Sequence, residues 1–261
     1  MSFKDIRAIY SIWLRDLTRY RRDRFRLVSS VAQPALYLFV FGTGLSRGLA
    51  IRGGSGSSLG PVDNYVVFIY PGILGMSLLF TSIFSAMSII WDREFGFLKE
   101  VMVAPISRTS VAIGKAMGGS TVAVIQGLII LLFAPFIGVS LSIQTLVIII
   151  PLMFLISFSL TSFGIVIAAR MESMEGFQMV MNFLVMPLFL LSGAMFPIER
   201  LPEWLKALTV LDPLTYGVDA LRGLMLGMEV SANPISLNIA VIIAFGAAMI
   251  SLAVVMFNRK E

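Results

Sequence analysis

The sequence has no cysteine and no histidine among its 261 residues, and only 13% of them carry charge. Without cysteine there is no disulfide, no thiolate metal site and no thiol nucleophile. Without histidine there is no imidazole base and no histidine proton relay. Soluble domains carry about 25% charged residues. Half that charge, with 57% hydrophobic residues and a mean hydropathy of +0.91, excludes an ordinary soluble globule, a disordered chain and a fibrous repeat. An integral membrane protein remains.

Further absences narrow the function. No G-x-x-x-x-G-K-[ST] phosphate loop occurs: Gly114-Lys115 is preceded by Thr109 where the first glycine belongs and followed by Ala116. If the protein pumps, another chain supplies the energy. The apolar stretches hold no Asp, Glu or Arg, which disfavours an ion-coupled secondary transporter; Lys115 is expected to snorkel to water near a helix end. The tightest carboxylate group, Asp92, Glu94 and Glu100, is interleaved with Arg93 and Lys99. That pattern reads as an ion-paired surface helix rather than the metal site of a membrane-embedded lipid-modifying enzyme, so no metal ligands are assigned.

Uncharged stretches cover 27–46, 65–91, 116–169, 176–198 and 230–258. A span takes roughly 20 apolar residues. The long stretch 116–169 holds two, with a break at Pro135, Gly138, Ser140 and Ser142. The expected fold is therefore all-α with six transmembrane helices, at about 27–46, 65–90, 111–136, 143–168, 177–196 and 235–257. Fifteen of the 20 Lys and Arg residues fall on one side if both termini are cytoplasmic. That asymmetry favours cytoplasmic termini in a multi-pass cell-membrane protein. It also accounts for the net charge of +5 without nucleic acid.

Residues 1–26 carry eight basic side chains and three Asp, too many to cross a bilayer. Phe3, Ile6, Tyr10, Trp13, Leu14 and Leu17 recur at helical spacing. The expectation is an amphipathic interfacial helix on the inner membrane surface, in contact with lipids. It serves either as a topology anchor or as a docking helix for a cytoplasmic partner. Residues 27–261 form the transmembrane domain.

Two connecting segments are informative. In 92–105, Phe97, Leu98, Val101 and Met102 form an apolar helical face, Pro105 ends the helix and Ser107 can cap the next one. That face rests on lipid or enters a groove on a cytoplasmic partner. In 197–229, Pro202 suits the first turn of a helix through Trp204, Leu205 and Leu208. Asp212-Pro213 can start a second through Tyr216, Asp219 and Arg222. These two short external helices are expected to re-enter the outer leaflet, with Trp204 and Tyr216 at the interface.

These segments resemble the membrane subunits of type-2 ABC exporters, the permease family that includes daunorubicin-resistance-type drug exporters and polysaccharide, teichoic-acid and nodulation-factor exporters. One series is Ser192, Gly193, Phe196, Pro197, Leu201, Pro202, Trp204, Asp212, Pro213, Leu214, Thr215, Tyr216, Ala220, Leu221 and Arg222. The other is Arg93, Glu94, Gly96, Leu98, Glu100, Ala104, Pro105, Ile106 and Ser107. The chain departs from the family pattern at Asp212, where Asn is usual, and at Phe97, where Thr is frequent. The resemblance spans nearly the whole chain.

The resemblance implies a non-enzymatic subunit of a dimer, ordinarily a homodimer, that docks two separate ABC ATPase subunits. It binds no cofactor itself; ATP and Mg sit on the partner ATPases. The segment from Asp92 to Pro105 becomes a cytoplasmic coupling helix, with Asp92, Arg93, Glu94, Gly96, Leu98, Glu100 and Pro105 as its residues. The external helices become an outer gate involving Ser192, Gly193, Phe196, Pro197, Pro202, Trp204, Asp212, Pro213, Tyr216 and Arg222. The substrate path lies between spans 1, 2 and 5 of the two copies. Gln33, Phe80, Phe84, Met181, Asn182, Met186 and Phe189 are its candidates, although Met and Phe at this spacing also suit packing or lipid contact. The expected activity is export of a hydrophobic or amphipathic, drug-like or lipid-like substrate. A lipid-linked polysaccharide or glycolipid is the alternative.

Overall fold

The structure, a computed structural model, describes residues 3–23, 28, 32–40, 65–95, 107–198 and 201–259, and every regular element among these is helical. The helices are α1 (Phe3–Arg22), α2 (32–40), α3 (Tyr65–Ser85), α4 (Met87–Glu94), α5 (Arg108–Leu131), α6 (Ile143–Arg170), α7 (Met174–Leu191), α8 (Glu203–Thr209), α9 (Pro213–Leu226) and α10 (Ile235–Arg259). Five segments are long and apolar enough to cross a membrane: Tyr65–Glu94, Arg108–Leu131, Ile143–Arg170, Met174–Leu191 and Ile235–Phe257. This is the build of a multi-pass membrane protein. Of the first expected span, 27–46, only residue 28 and the helical stretch α2 lie within the described residues.

Side-chain caps set where the helices begin. Ser107, Ser142 and Ser173 accept from the backbone N–H of Ser110, Thr145 and Gly176, and so start α5, α6 and α7. α3 and α4 form one rod bent at Ala86. There the Ala86 N–H reaches the Ile83 carbonyl and the Ile89 N–H reaches Ala86, a tightened three-residue spacing. Two spans end earlier than expected. The third stops at Leu131, not 136, because residues 134–137 tighten into a 3₁₀ turn that closes at Gly138 with φ +80°. The fifth stops at Leu191, not 196, because Gly193 turns the chain at φ +68°.

The core centres on α3, whose Tyr70, Leu74, Leu78, Leu79 and Ile83 are fully buried among α5, α6 and α9. Close approach depends on small residues. A Cβ on Gly119 of α5 would fall 2.1 Å from Ser85 Oγ and 2.7 Å from Thr161 Cγ2, so α3, α5 and α6 meet there. Gln126 is buried between α3 and α5, donating to Ser77 Oγ at 3.0 Å and accepting from the Thr81 hydroxyl. An amide in an apolar bundle needs such partners.

The amphipathic N-terminal helix, expected on the membrane surface, packs directly against the bundle. Asp5 Oδ1 accepts from the Ser107 N–H at 3.2 Å and from the Ser110 hydroxyl at 3.1 Å. A Cβ on Gly114 would lie 3.1 Å from Ile12 Cβ, and one on Gly118 would lie 3.0 Å from an Asp16 carboxylate oxygen. Asp5 to Asp16 thus pairs with Ser107 to Gly118, residue for residue, so α1 runs parallel to α5 and against it for three turns. Trp13 Nε1 also donates to Thr121 Oγ1 at 2.9 Å. The expected apolar stripe divides. Trp13 turns towards α5, while Ile6, Tyr10 and Leu14 stay exposed.

The helix ends sort into two groups. Arg93 donates to the carbonyls of Met171 and Ala169, and Arg108 donates to that of Phe257. The start of α5, the end of α4, the α6–α7 turn and the end of α10 therefore gather at one end with α1. At the other end, Tyr65 donates to the Met195 carbonyl and Tyr70 to that of Ile130.

Candidate functional site

The end of the bundle where α1 packs carries a charge cluster built by three helices. Lys115 of α5 lies 2.7 Å from Asp92 Oδ2 and 3.2 Å from Asp16 Oδ1, and donates to Ser88 Oγ at 3.0 Å. Arg15 of α1 reaches Asp92 at 2.6 Å and Asp16 at 3.7 Å. Lys115 is only 4% exposed, so it does not snorkel to water as its position in the sequence suggested. Two carboxylates balance two cations, the arrangement that makes buried charge tolerable. Asp92 pairs with other helices rather than within its own; Lys99 and Glu100 of the expected ion-paired helix lie outside the described residues.

Of the residues expected to couple, Asp92 and Arg93 thus turn inward, while Glu94 and the following Phe95 are exposed. Gly96, Leu98, Glu100 and Pro105 lie outside the described residues. Trp91 donates to Met174 Sδ, and the Arg19 guanidinium stacks 4.1 Å from the Trp91 ring. Beside these groups a cavity of about 270 Å³ opens between α1, α3, α4, α5 and α7, with Asp16, Arg19, Phe84, Ser85, Trp91 and Gln178 in its wall.

The opposite end is held by α9. Asp212 caps it, accepting from the Leu214 N–H at 2.9 Å, with Pro213 in the first turn. Pro202 stands at the start of α8, as its position suggested. Trp204 is exposed, as an interfacial residue would be. Tyr216 is half-buried and donates to the Val210 carbonyl, closing the α8–α9 turn. Unlike a helix that merely dips into lipid, α9 is enclosed by protein, with Leu214, Val218 and Leu221 fully buried against neighbours that include α3 and α10.

Arg222 is also buried. It donates to the Gly193 carbonyl at 2.7 Å and lies 4.2 Å over the Phe68 ring. Ser192 is buried, its hydroxyl donating to the Phe189 carbonyl and accepting from the Ala194 N–H, whereas Phe196 is exposed and Pro197 follows in the same turn. A Cβ on Gly72 would meet the Ala194 carbonyl oxygen at 2.2 Å, so this turn lies directly on the backbone of α3.

Asp219 carries more of this end than its sequence position suggested. It is buried and accepts from the Ser231 hydroxyl, the Ala232 and Asn233 N–H groups and Asn238 Nδ2, at 2.8–3.0 Å. One carboxylate thereby ties the linker and the start of α10 to α9. A lone acid in an apolar helix is the signal that marks it; Lys115 and Gln126 carry the same kind of signal inside the stretch 108–131.

The substrate-path candidates do not share one surface. Phe80 and Phe84 are partly exposed and stack at 6.2 Å. Met181 and Phe189 face the core, whereas Asn182 and Met186 share the exposed side of α7 with Phe183. Gln33 is exposed on α2.

Burial pushes the Asp212 carboxyl up to about 7, against the lowering effect of the Leu214 N–H and the Thr215 hydroxyl. The sign follows. A raised folded-state value stabilises the protein at acid pH, and that contribution is lost as pH rises from about 4 through 7. Asp212→Asn keeps the cap and removes the titration. The stability of the variant relative to the native chain should rise by about 1–3 kcal/mol between pH 5 and pH 8, as read by thermal unfolding in detergent.

The model of the ABC-2 type transporter family matches residues 7–226, from the first turns of α1 through α9. The chain belongs to this family. Among its relatives, ycf38 of Cyanophora paradoxa, named as a candidate transport permease, is 33% identical over 223 residues, covering 85% of this chain and 75% of the relative. Nodulation protein J of Rhizobium leguminosarum bv. viciae is 23% identical over 226 residues, covering 85% of this chain and 83% of the relative. YbhR of Escherichia coli K12, named as a candidate multidrug ABC transporter permease, is 27% identical over 207 residues, covering 77% of this chain and 54% of the relative. The ABC-2 chain described here is a membrane transport component whose family associates with ABC ATPase subunits. The matched region takes in both the charge cluster at one end and the α9 latch at the other.

Proposed function

We propose that this ABC-2 chain is the permease subunit of an ATP-driven exporter, moving a hydrophobic or amphipathic substrate out of the cytoplasm or the inner leaflet. The observation that carries the reading is the family match over residues 7–226, in a sequence that has no phosphate loop of its own. Six spans cross the cell membrane, the first around α2, and both termini are cytoplasmic. The gathering of α1, the α4 end, the α5 start and the α10 end supports that topology. Residues 1–26 serve as an inner helix packed on the 27–261 transmembrane domain.

The segment 92–105 contacts the ATPase, and exposed Glu94 and Phe95 at its head support this. Residues 197–229 form the outer gate. Two copies of the chain pair through faces that include the exposed Phe183 and Met186 side of α7, and they bind two ATPase subunits. The Phe80–Phe84 stack and the cavity beside Phe84 support a path for an apolar or amphipathic cargo.

The test is purification from native membranes in mild detergent, followed by the mass of the complex and its ATP hydrolysis. A complex of two permeases and two ATPase subunits with vanadate-sensitive hydrolysis is the expected result. A stable permease with no ATPase partner and no hydrolysis overturns the reading.

A further inference from the structure

The charge cluster joins three elements that have no covalent reason to move together. Asp92 stands one turn before the exposed segment at the end of α4. Lys115 belongs to α5, and Arg15 and Asp16 belong to α1. Each of the four charges meets both charges of opposite sign, and withdrawing Lys115, only 4% exposed, from both carboxylates would leave a buried charge without a counter-ion, a cost that makes the cluster stiff. Beside it, Gly114 and Gly118 let α1 lie against α5 with no room for lipid between them.

We propose that Lys115 is a positioning residue for energy coupling. It clamps α1 to α4 and α5, so that displacement of the segment after Glu94 carries α1 along with the cytoplasmic half of the bundle. The inference rests on the reading of 92–105 as the ATPase contact. In it α1 is part of the moving body, neither a passive anchor nor an independent gate. The cluster spans the junction where force enters: α4 continues through the Ala86 bend into α3, the most enclosed helix of the core. Ser88, which accepts a hydrogen bond from Lys115, lies on the same α4 face as Asp92.

The absence of native cysteine provides a clean test. Ile12→Cys and Gly114→Cys are introduced together in the full complex with its ATPase subunits. The Ile12 Cβ and a Cβ built on Gly114 lie 3.1 Å apart; a disulfide accepts about 3.8 Å, so the pair closes after the helices part by a few tenths of an ångström. Oxidative cross-linking is timed without nucleotide and after trapping with ATP and vanadate.

In the otherwise native chain the rate should be the same in both states. Lys115→Met should leave cross-linking in the nucleotide-free state within twofold of native and slow it about tenfold in the trapped state. Lys115→Arg should restore the native pattern, a rescue that a purely space-filling role for the side chain would not require. Loss of cross-linking on trapping in the native background overturns the proposal, because α1 then leaves α5 during the cycle. Identical rates for Lys115→Met and native chain in both states overturn it as well. Should Lys115→Met fail to fold, the native-background comparison and Lys115→Arg still decide the matter. Absence of ATPase subunits or of trapped nucleotide instead overturns the underlying reading of the 92–105 segment.

Discussion

Deletion of Gly96–Glu100 is expected to reduce ATP-driven transport to background while the permease still folds and self-associates. The residues removed follow α4 and precede α5, and the contacts that hold those two helices lie on either side of the cut. Asp92 remains paired with Lys115 and Arg15, and Arg93 remains on the Met171 and Ala169 carbonyls. Ser107 still caps α5. The described anchors of α4 and α5 are therefore kept, and what is removed lies within the segment proposed to contact the ATPase. Glu94→Ala, which removes one exposed carboxylate beside that surface, should weaken transport less. The measurement is ATP-dependent transport by the reconstituted complex, with size-exclusion profiles as the control for folding. Unchanged transport after the deletion would sink the assignment of this segment.

Asp219→Ala should have the largest effect on stability. The substitution strands the buried Asn238 amide and frees the Ala232 and Asn233 N–H groups of a part-buried linker, while the Ser231 hydroxyl can turn to the Asn233 carbonyl it already meets. The buried amide costs about 1–3 kcal/mol and the two part-buried N–H groups less each, so a loss of about 2–4 kcal/mol is expected. For a chain of this length that corresponds to a fall of about 10 °C in Tm, measured on the purified permease. The damage should concentrate at the α9 end of the bundle, with proteolysis first appearing in the 227–234 linker. Asp219→Asn should fall between the two, because its amide accepts at one atom only. A Tm within 2 °C of native for Asp219→Ala would show that the linker is held by other contacts.

Much of the architecture was legible in the chain because a bilayer imposes simple rules. Five of the six expected spans correspond to helices, since long uncharged runs admit little else. The starts of α5, α8 and α9 were legible too, because Ser107, Pro202 and Asp212-Pro213 act through local backbone chemistry. The ends of the third and fifth spans were harder to place. Hydropathy continues past Leu131 and Leu191 into turns that are apolar because they pack on the bundle. The backbone turns there through Gly138 and Gly193 at positive φ.

What sequence alone determined is therefore the class of the molecule, its lack of histidine and thiol chemistry, the missing phosphate loop and the family motifs at its two ends. Tertiary structure decided which charged groups meet. Asp16, Asp92 and Lys115 lie far apart along the chain, and each looked like a surface charge or a snorkelling lysine. α1 became a partner of α5 because Gly114 and Gly118 permit close approach and Asp5 reaches the α5 cap. Asp219 became a latch because the linker folds back over it. Periodicity reports which face of a helix is apolar. It does not report which helix that face meets, because pairing depends on shape and on charges that find each other only after the chain has folded.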